Sequence, residues 1–351
     1  LIIEDADGVA HVGRTMELTS EEAWHMYYLP AGHAATSLAP AGGPGLSYGS
    51  DHPVLGIGTP LHDGLNNWFV QGFNDKGVVG CVQAFGDTTS PEVLEGSSSA
   101  LAASDLLAWG LGTCASVEEL KGALAEVDLW VPGIPTLTAP PAAYHYGFFD
   151  RTGAGIVVEF YDQTVHIWDN PVGALTNGPE FGWHLKNLTN YTFISNVDKN
   201  QQSFRDFSAV SQDNGIALSG LPAANTSQSR FVKAAYYSNF SHSPKAGTDP
   251  LIQLGHMMNN FDRPYGLTND PAGSAGDGGV SSTSSTEWTI WSTLHDLTGN
   301  RMQVRTDGQL NWMEFDHAGL TAASGPIFIA LADLEGAADP APGLAGRASC
   351  R

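Results

Sequence analysis

The feature that most constrains the fold is a run of three apolar segments separated by very short connections between residues 144 and 170. The run reads YHYGFFD, RTGA, GIVVEF, YDQ and TVHIWDN, where RTGA and YDQ are the connections. A parallel pair of strands needs a crossover of about a dozen residues or more, so strands joined this tightly must run antiparallel. The segment therefore predicts an antiparallel meander.

Further strands are predicted on both sides of this meander. Residues 1–16 read as two strands around an Asp7-Gly8 turn, which is a strong hairpin signal. A turn at residues 74–77 leads into the apolar run GVVGCVQAF, VGALTNGP reads as a fourth strand of the meander, and EWTIWSTLHD, RMQVRTD and LNWMEFD read as three more. Residues 29–66 are rich in Gly, Pro, Ser and Ala and are predicted to form irregular loops.

Helices are predicted between these groups of strands. ASDLLAWGL has helical spacing, and SVEELKGALAEV begins with a Ser-x-x-Glu capping box at residues 116–119. EFGWHLKNLTNY repeats apolar residues along one helical face, and SQSRFVKAAYYSNF predicts a further helix with Arg230 in its first turn. Antiparallel sheets with helices layered on them form an α+β architecture, and without a repeat or a clear linker residues 1–351 read as one domain.

Composition narrows the classes of partner. The formal charge is −22, with 15 Lys and Arg against 37 Asp and Glu, which disfavours nucleic acids and anionic membranes. No apolar run reaches the length of about 18 residues that a membrane span requires. The 12 His and 3 Cys form no HExxH and no CxxC, so no metal or cofactor site is predicted. Cys81, inside GVVGCVQAF, reads as a small buried hydrophobe.

Several residues could carry chemistry, and each also has a structural interpretation. The motif GLSYG at residues 45–49 matches G-x-S-x-G, but its flanks lack the strand and helix of a nucleophile elbow. Arg14 and Glu17 could form a surface ion pair, since such pairs are common and weak. Asn177 could be a turn former and Arg230 a solvated helix residue.

Four blocks occur together in the order and spacing of one family: GRTMEL; FNDKG; GIVVEF with VGALTNGPEFGWHLKNLTNY; and GLPAANTSQSRFVKAAYY. Through these blocks the chain resembles the choloylglycine hydrolases, which include penicillin V acylases and conjugated bile salt hydrolases. The resemblance runs from Leu1 to about residue 316, so residues 316–351 read as a C-terminal extension. It implies an N-terminal nucleophile (Ntn) hydrolase fold, a four-layer αββα sandwich of two mainly antiparallel sheets flanked by helices. It also implies a homotetramer.

The resemblance further implies cleavage of a linear amide by an N-terminal Cys exposed by processing, without a cofactor. The thiol attacks the amide carbonyl and its own α-amine, which titrates near about pH 8, serves as the base. Counted back from Arg14, this Cys is expected about three residues before Leu1, if the hairpin length of the family holds. Arg14 matches the family Arg beside the thiol, where a cation favours thiolate. Glu17 matches an acidic residue, usually Asp, that orients the α-amine.

The remaining matches concern the oxyanion of the intermediate. Asn177 matches the Asn whose side-chain N–H donates to it, and Ala84 matches the position whose backbone N–H is the second donor. Arg230 matches a second Arg that holds the catalytic residues in place. The segments QGFNDKG and GLPAA differ from the family's usual Asp-Gly-x-Asn-Glu-Lys-Gly and Gly-Leu-Pro-Gly-Asp.

Two functions follow as expectations: an amidase that cleaves N-acyl compounds, or a non-catalytic relative that binds acyl amides. The retained Arg14, Asn177 and Arg230 favour the amidase, because a binding protein has no need for an oxyanion donor. The charge of −22 modestly repels anions at long range. The expected substrates are therefore neutral or aromatic acyl amides, such as acyl homoserine lactones, alongside penicillin V, in preference to bile salts. A periplasmic or secreted location is favoured, since a signal-cleaved protein also begins in mid-sequence.

Overall fold

The computed structural model describes residues 1–19, 23–59, 68–132, 144–276, 279–280 and 282–335. The strands are β1 Ile2–Glu4, β2 Ala10–Leu18, β3 His25–Leu29, β4 Ala34–Leu38, β5 Pro44–Gly49, β6 Val54–Thr59, β7 Trp68–Asn74, β8 Val78–Ala84, β9 Ala100–Ala102, β10 Asp128–Trp130, β11 Tyr144–Asp150, β12 Gly155–Tyr161, β13 Thr164–Asp169, β14 Gln201–Phe204, β15 Phe207–Val210, β16 Ala275–Gly276, β17 Gly279–Val280, β18 Trp288–Asp296, β19 Arg301–Thr306, β20 Met313–Asp316 and β21 Ile327–Ala330. The α-helices are α1 Leu106–Thr113, α2 Val117–Leu124, α3 Phe181–Leu188, α4 Ser227–Phe240 and α5 Pro250–Met258.

Two antiparallel sheets form the centre of the molecule. One has five strands in the order β1-β2-β18-β19-β20, and the other has eight in the order β13-β12-β11-β8-β7-β6-β3-β21. Helices α1 and α2 pack on the eight-stranded sheet, and α4 and α5 pack on the five-stranded one. One apolar core joins the two sheets to α1 and α2, and a second lies beneath α3, α4 and α5. The predicted α+β sandwich of four layers is confirmed.

Local signals in the sequence account for most of these elements. The meander is β11-β12-β13, and the first hairpin turns at Gly8, whose φ of 78° is a conformation that glycine adopts without strain. In α2 the Ser116 hydroxyl accepts a hydrogen bond from the Glu119 N–H, as the capping box predicts. The helices predicted around Trp109, in residues 181–191 and around Arg230 are also present.

The prediction that residues 29–66 form loops is wrong for much of residues 29–59, and residues 60–66 lie outside the described residues. The segment contains β4, β5 and β6, and β6 is an inner strand of the eight-stranded sheet. Its Gly56 is required by packing, because a Cβ there would lie 2.2 Å from the Gln71 carbonyl oxygen. Glycine therefore marks a close approach of two strands here and not a turn.

The prediction of a strand in VGALTNGP is also wrong. The backbone at the start of this segment is hydrogen-bonded to the side chain of Asn170 and not to a neighbouring strand. The Asn170 carboxamide accepts hydrogen bonds from the N–H groups of Val172 and Gly173 and donates one to the Ala174 carbonyl. This turn bends the chain away from β13, and residues 174–177 run to the site described below without strand pairing.

The predicted C-terminal extension, residues 316–351, is described only as far as residue 335. Within it, β21 pairs with β3 at the edge of the eight-stranded sheet, so the chain is part of the sandwich to that point. Among the helices of the described ranges, none combines the length and the apolar character needed to cross a membrane.

Candidate active site

A cavity of about 1460 Å³ opens where the two sheets, the segment before α3 and the start of α4 meet. All of the predicted site residues line it, although they come from four distant parts of the chain: Arg14, Glu17, Ala84, Asn177 and Arg230. The fold thus brings together residues that the sequence separates by more than 200 positions.

Arg14 extends from β2 between the two sheets and is only 6% exposed. Its guanidinium donates to the carbonyl oxygens of Val70 and Val82, each at 2.5 Å, and to Gln71 Oε1 at 3.3 Å. Its Cζ also lies 5.2 Å from the ring centroid of Trp291. The alternative of a surface ion pair is therefore wrong for Arg14, which is a fixed, buried cation.

Glu17 lies three residues further along β2 and is partly buried. Its Oε1 accepts a hydrogen bond from Thr289 Oγ1 at 3.2 Å. Burial lowers the pKa of the guanidinium groups of both Arg14 and Arg230, and the Glu17 carboxylate opposes this by raising both pKa values. Both guanidiniums stay charged at neutral pH, because arginine keeps its proton in proteins.

Asn177 is held in one orientation by its two neighbours. Its Oδ1 accepts a hydrogen bond from Arg230 Nη2 at 2.7 Å, and its Nδ2 donates to the Ala84 carbonyl oxygen at 3.0 Å. Arginine can only donate, so the amide oxygen must face Arg230 and the amide nitrogen must face Ala84. The nitrogen carries two N–H groups, of which Ala84 takes one.

The backbone around Asn177 is fixed by two buried histidines. His145 Nε2 donates to the Thr176 carbonyl at 2.7 Å, and His184 Nε2 donates to the Asn177 carbonyl at 2.9 Å. His145 Nδ1 lies 2.9 Å from Glu159 Oε1, and both of these side chains are fully buried. Both ring nitrogens of His145 thus face acceptor oxygens, which fixes the orientation of the ring. Burial lowers the pKa of His184.

Arg230 lies in the first turn of α4, which Thr226 caps by accepting a hydrogen bond from the Ser229 N–H. Besides its bond to Asn177, it donates from Nε to the Asn225 carbonyl at 3.0 Å. The alternative of a solvated helix residue is therefore wrong for Arg230, which joins the start of α4 to Asn177.

Sequence reasoning missed other residues of the cavity. Arg263 and Glu287 form an ion pair there, and Arg263 also donates to the Asn225 carbonyl at 2.6 Å. No motif surrounds Arg263, so only its contacts reveal it. Cys81 is buried as predicted but also lines the cavity. Burial raises the pKa of its thiol, although nearby Arg14 acts in the opposite direction.

Other candidates are separate from this cavity. Ser47 lies within β5, with its Oγ 2.9 Å from Thr36 Oγ1, and no helix follows the strand directly, so the motif forms no nucleophile elbow. Cys114 is buried at the C-terminal end of α1, and Cys350 lies outside the described residues. Within the described part of the chain no group of three or more His, Cys, Asp and Glu is arranged to hold a metal ion.

Comparison with known proteins matches both the chain and its fold. The sequence profile described as "Linear amide C-N hydrolases, choloylglycine hydrolase family" matches residues 1–329. A bile salt hydrolase/transferase of Clostridium perfringens (strain 13 / Type A) is 29% identical over 272 residues, covering 76% of this chain and 80% of that protein. A conjugated bile acid hydrolase of Lactobacillus acidophilus is 36% identical over 136 residues, covering 39% of this chain and 43% of that protein.

Solved structures share the fold. A variant of conjugated bile acid hydrolase from Clostridium perfringens superposes with a TM-score of 0.76 at 24% identity, covering 94% of this chain and 96% of that one. Penicillin V acylase from Agrobacterium tumefaciens superposes with a TM-score of 0.71 at 18% identity, covering 94% and 90%. These likenesses support the four-layer Ntn-hydrolase fold, and the profile match over nearly the whole chain establishes the family. The chain belongs to the choloylglycine hydrolase family of linear amide C–N hydrolases.

Proposed function

We propose that this protein hydrolyses the amide bond of N-acyl compounds through an N-terminal Cys located about three residues before Leu1. The observation that carries the proposal is the convergence of Arg14, Glu17, Asn177 and Arg230 on one cavity. An oxyanion donor held by an arginine, next to a second buried cation, suits the charge that develops when an amide carbonyl is attacked.

The strand register supports the place of the nucleophile. In β1-β2, Ile2 lies opposite Val12, and the Leu1 nitrogen donates to the Gly13 carbonyl at 2.9 Å. If the antiparallel pairing continues, a residue three places before Leu1 lies opposite Met16, between Arg14 and Glu17. A Cys at that position would have its thiol near Arg14 and its α-amine near Glu17.

The chemistry follows from those neighbours. The α-amine takes the thiol proton, the thiolate sulfur bonds to the amide carbon, and the carbonyl oxygen becomes an oxyanion. The Asn177 Nδ2–H and the Ala84 backbone N–H stabilise this oxyanion, and Arg14 favours the thiolate that precedes it. The C–N bond then breaks as the α-amine returns its proton to the leaving nitrogen. Water cleaves the thioester by the same steps and releases the carboxylic acid.

The cavity walls support a neutral or aromatic acyl group. Trp24, Tyr144, Tyr265 and Trp288 line the cavity and supply apolar ring surface. Arg14, Arg230 and Arg263 lie there too, but each already donates to protein acceptors. Acyl homoserine lactones, which are uncharged, and penicillin V, whose acyl group is aromatic, are therefore favoured over conjugated bile salts.

Two measurements test the proposal. Intact-mass analysis of the purified mature protein gives its N-terminal residue, which we expect to be Cys. A hydrolysis panel with penicillin V, an acyl homoserine lactone and a glycine-conjugated bile salt, followed by amine release, gives the substrate order. A mature protein that begins with a residue other than Cys, Ser or Thr would favour the acyl-amide-binding relative. Fastest cleavage of the bile salt would contradict the preferred acyl group.

A further inference from the structure

We propose that Arg263 and Thr289 are positioning residues that connect the Glu17 half of the site to the Asn177 half. The inference rests on the proposed function, in which Glu17 orients the amine base and Asn177 binds the oxyanion. Neither Arg263 nor Thr289 needs to touch the substrate for this role, because each acts through a hydrogen bond to another site residue.

The side chain of Arg263 reaches the Asn177 half. It is 8% exposed, and its Nη2 donates to the Asn225 carbonyl oxygen, to which Arg230 Nε also donates. That oxygen is the meeting point of two guanidiniums, and Arg263 lowers the pKa of Arg230 as a neighbouring cation does. Glu287 is the ion-pair partner of Arg263 and opposes this repulsion. The two arginines therefore fix the Asn225 carbonyl, and Arg230 in turn fixes the Asn177 amide.

The backbone of Arg263 reaches the Glu17 half through Thr289. The Arg263 N–H donates to Thr289 Oγ1 at 2.8 Å, and the Arg263 carbonyl accepts from the Thr289 N–H at 3.0 Å. Because Thr289 Oγ1 accepts from Arg263, its own proton is free to point at Glu17 Oε1, 3.2 Å away. The two ends of the chain of hydrogen bonds are thus the Glu17 carboxylate and the Asn177 amide.

An irregularity in β18 makes this connection. Met16 lies opposite Trp291, so regular pairing would put residue 290 opposite Glu17. The register shifts between Thr289 and Trp291, and Thr289 takes that place. Bulges next to active sites commonly redirect one side chain. Here the bulge replaces an isoleucine, which cannot donate a hydrogen bond, with a threonine hydroxyl.

The test uses the full mature protein with its N-terminal Cys and compares Arg263→Ala, Thr289→Val and Arg305→Ala with the parent. Arg305 is the matched control, because it also pairs with a carboxylate, Asp262, and lies over the Trp312 ring, but outside the cavity. For Arg263→Ala we expect kcat to fall about 10- to 100-fold, as for loss of a hydrogen bond to or from a charged group, with little change in KM. Thr289→Val should lower kcat in the same way, and Arg305→Ala should not.

Chemical rescue separates positioning from general loss of stability. Guanidinium ion at a sub-denaturing concentration should restore part of the kcat of Arg263→Ala, because it can occupy the space left beside Asn225 and Glu287. It should not change the kcat of Arg305→Ala. Unchanged kcat in both Arg263→Ala and Thr289→Val, or equal losses in Arg263→Ala and Arg305→Ala without rescue, would overturn the inference. If Arg263→Ala does not fold, the nearly isosteric Thr289→Val decides by itself.

A parent protein that hydrolyses no amide on the panel defeats the proposed function but still leaves the positioning inference testable. In that case a crystal structure of Arg263→Ala decides it. Displaced Arg230 and Asn177 side chains support the positioning role, and unmoved ones refute it.

Discussion

At the scale of single residues, the direction of one amide group determines what this site can do. Asn177 could present either its oxygen or its nitrogen to a bound substrate. The Arg230 guanidinium accepts nothing and so holds the amide oxygen, which leaves the nitrogen on the side of Ala84. In the proposed hydrolysis, a donor held in advance of the reaction costs no reorganisation when the oxyanion forms.

We therefore expect Asn177→Ala to lower kcat by about 10²- to 10³-fold with little change in substrate affinity, as for other oxyanion donors. Steady-state kinetics of amine release measures both quantities. Asn196→Ala is the control, since it removes the same group from an exposed position where Nδ2 donates to the Phe240 carbonyl. An unchanged kcat in Asn177→Ala would refute the role of this side chain.

At the scale of elements, one buried carboxylate joins two strands to a helix. Glu159 on β12 contacts His145 on the neighbouring strand β11, and both of its oxygens also accept hydrogen bonds from the Phe181 N–H at the start of α3. A negative charge at a helix N-terminus is favourable, and here it is paired and fully buried. Through His145 the same group fixes the Thr176 carbonyl next to the site.

Glu159→Gln should reduce the free energy of unfolding by about 3–5 kcal/mol, as expected when one partner of a buried ion pair is removed. The new amide nitrogen must face a donor, because both His145 and the Phe181 N–H point at this position. Urea denaturation measures the loss. Asp169→Asn serves as the comparison, since the ion pair of Asp169 with Lys121 is exposed and its loss should have little effect. Equal stability of Glu159→Gln and the parent would contradict the buried-pair account.

Glycine shows why some elements escape prediction from the sequence. Glycine in a turn and glycine at a close approach of two strands look alike in a sequence. Gly8 and Gly77, with φ of 78° and 80°, are in turns, and both turns are predicted correctly. Gly56 lies in a central strand at a position where a side chain would not fit. The cause is the Gln71 carbonyl oxygen, which belongs to a different strand, so the sequence around Gly56 does not reveal it.

At the scale of the whole molecule, a buried polar contact joins the two sheets. His295 on β18 accepts a hydrogen bond from the Gln71 carboxamide on β7, across the interior of the sandwich, at 2.8 Å between the nitrogens. Burial lowers the pKa of His295 to about 3 and that of His317, close to the ring of Phe73, to about 4. Both histidines are therefore neutral in the folded protein at neutral pH.

The free energy of unfolding should decrease as the pH is lowered past about 6.5, which is the pKa of a histidine in the unfolded chain. Because the folded pKa is lower, the unfolded chain binds protons first as the pH drops, so the contribution is complete above pH 6.5 and is lost towards pH 3 to 4. At pH 5 each histidine lowers the free energy of unfolding by about 2 kcal/mol relative to its value at neutral pH. Urea denaturation at pH 7.5 and pH 5 should show a smaller loss in His295→Gln than in the parent. His256→Gln, at an exposed position of α5, should behave as the parent; if His295→Gln does so too, the account is wrong.

The β14-β15 hairpin exposes aromatic side chains that could contact a second copy of the chain. Phe204 and Phe207 face each other at the end of the β14-β15 hairpin, and they are 63% and 66% exposed. A two-stranded hairpin is at best marginally stable in water, and exposed aromatic residues mark interaction surfaces. We therefore expect a second copy of the chain to cover this hairpin.

Replacing both Phe204 and Phe207 with Ser should then lower the molar mass in solution, as measured by light scattering after size exclusion. Leu310→Ser removes an apolar side chain that is 91% exposed elsewhere and should leave the mass unchanged. A parent that is already monomeric, or an oligomer whose mass the double change leaves unaltered, would contradict this expectation.

The sequence by itself determined the β1-β2 hairpin, the β11-β12-β13 meander, helices α1 to α4 and the family, because these depend on neighbours in the chain: tight turns, capping residues and motifs in a fixed order. For the same reason it was sufficient to name Arg14, Glu17, Ala84, Asn177 and Arg230, all of which line one cavity. The tertiary structure alone decided how these residues are held. The contacts of Arg263 with Asn225 and of Thr289 with Glu17 depend on a bulge and on packing between segments remote in sequence. Contacts of this kind have no local signature, since their geometry exists only after the sheets have paired and packed.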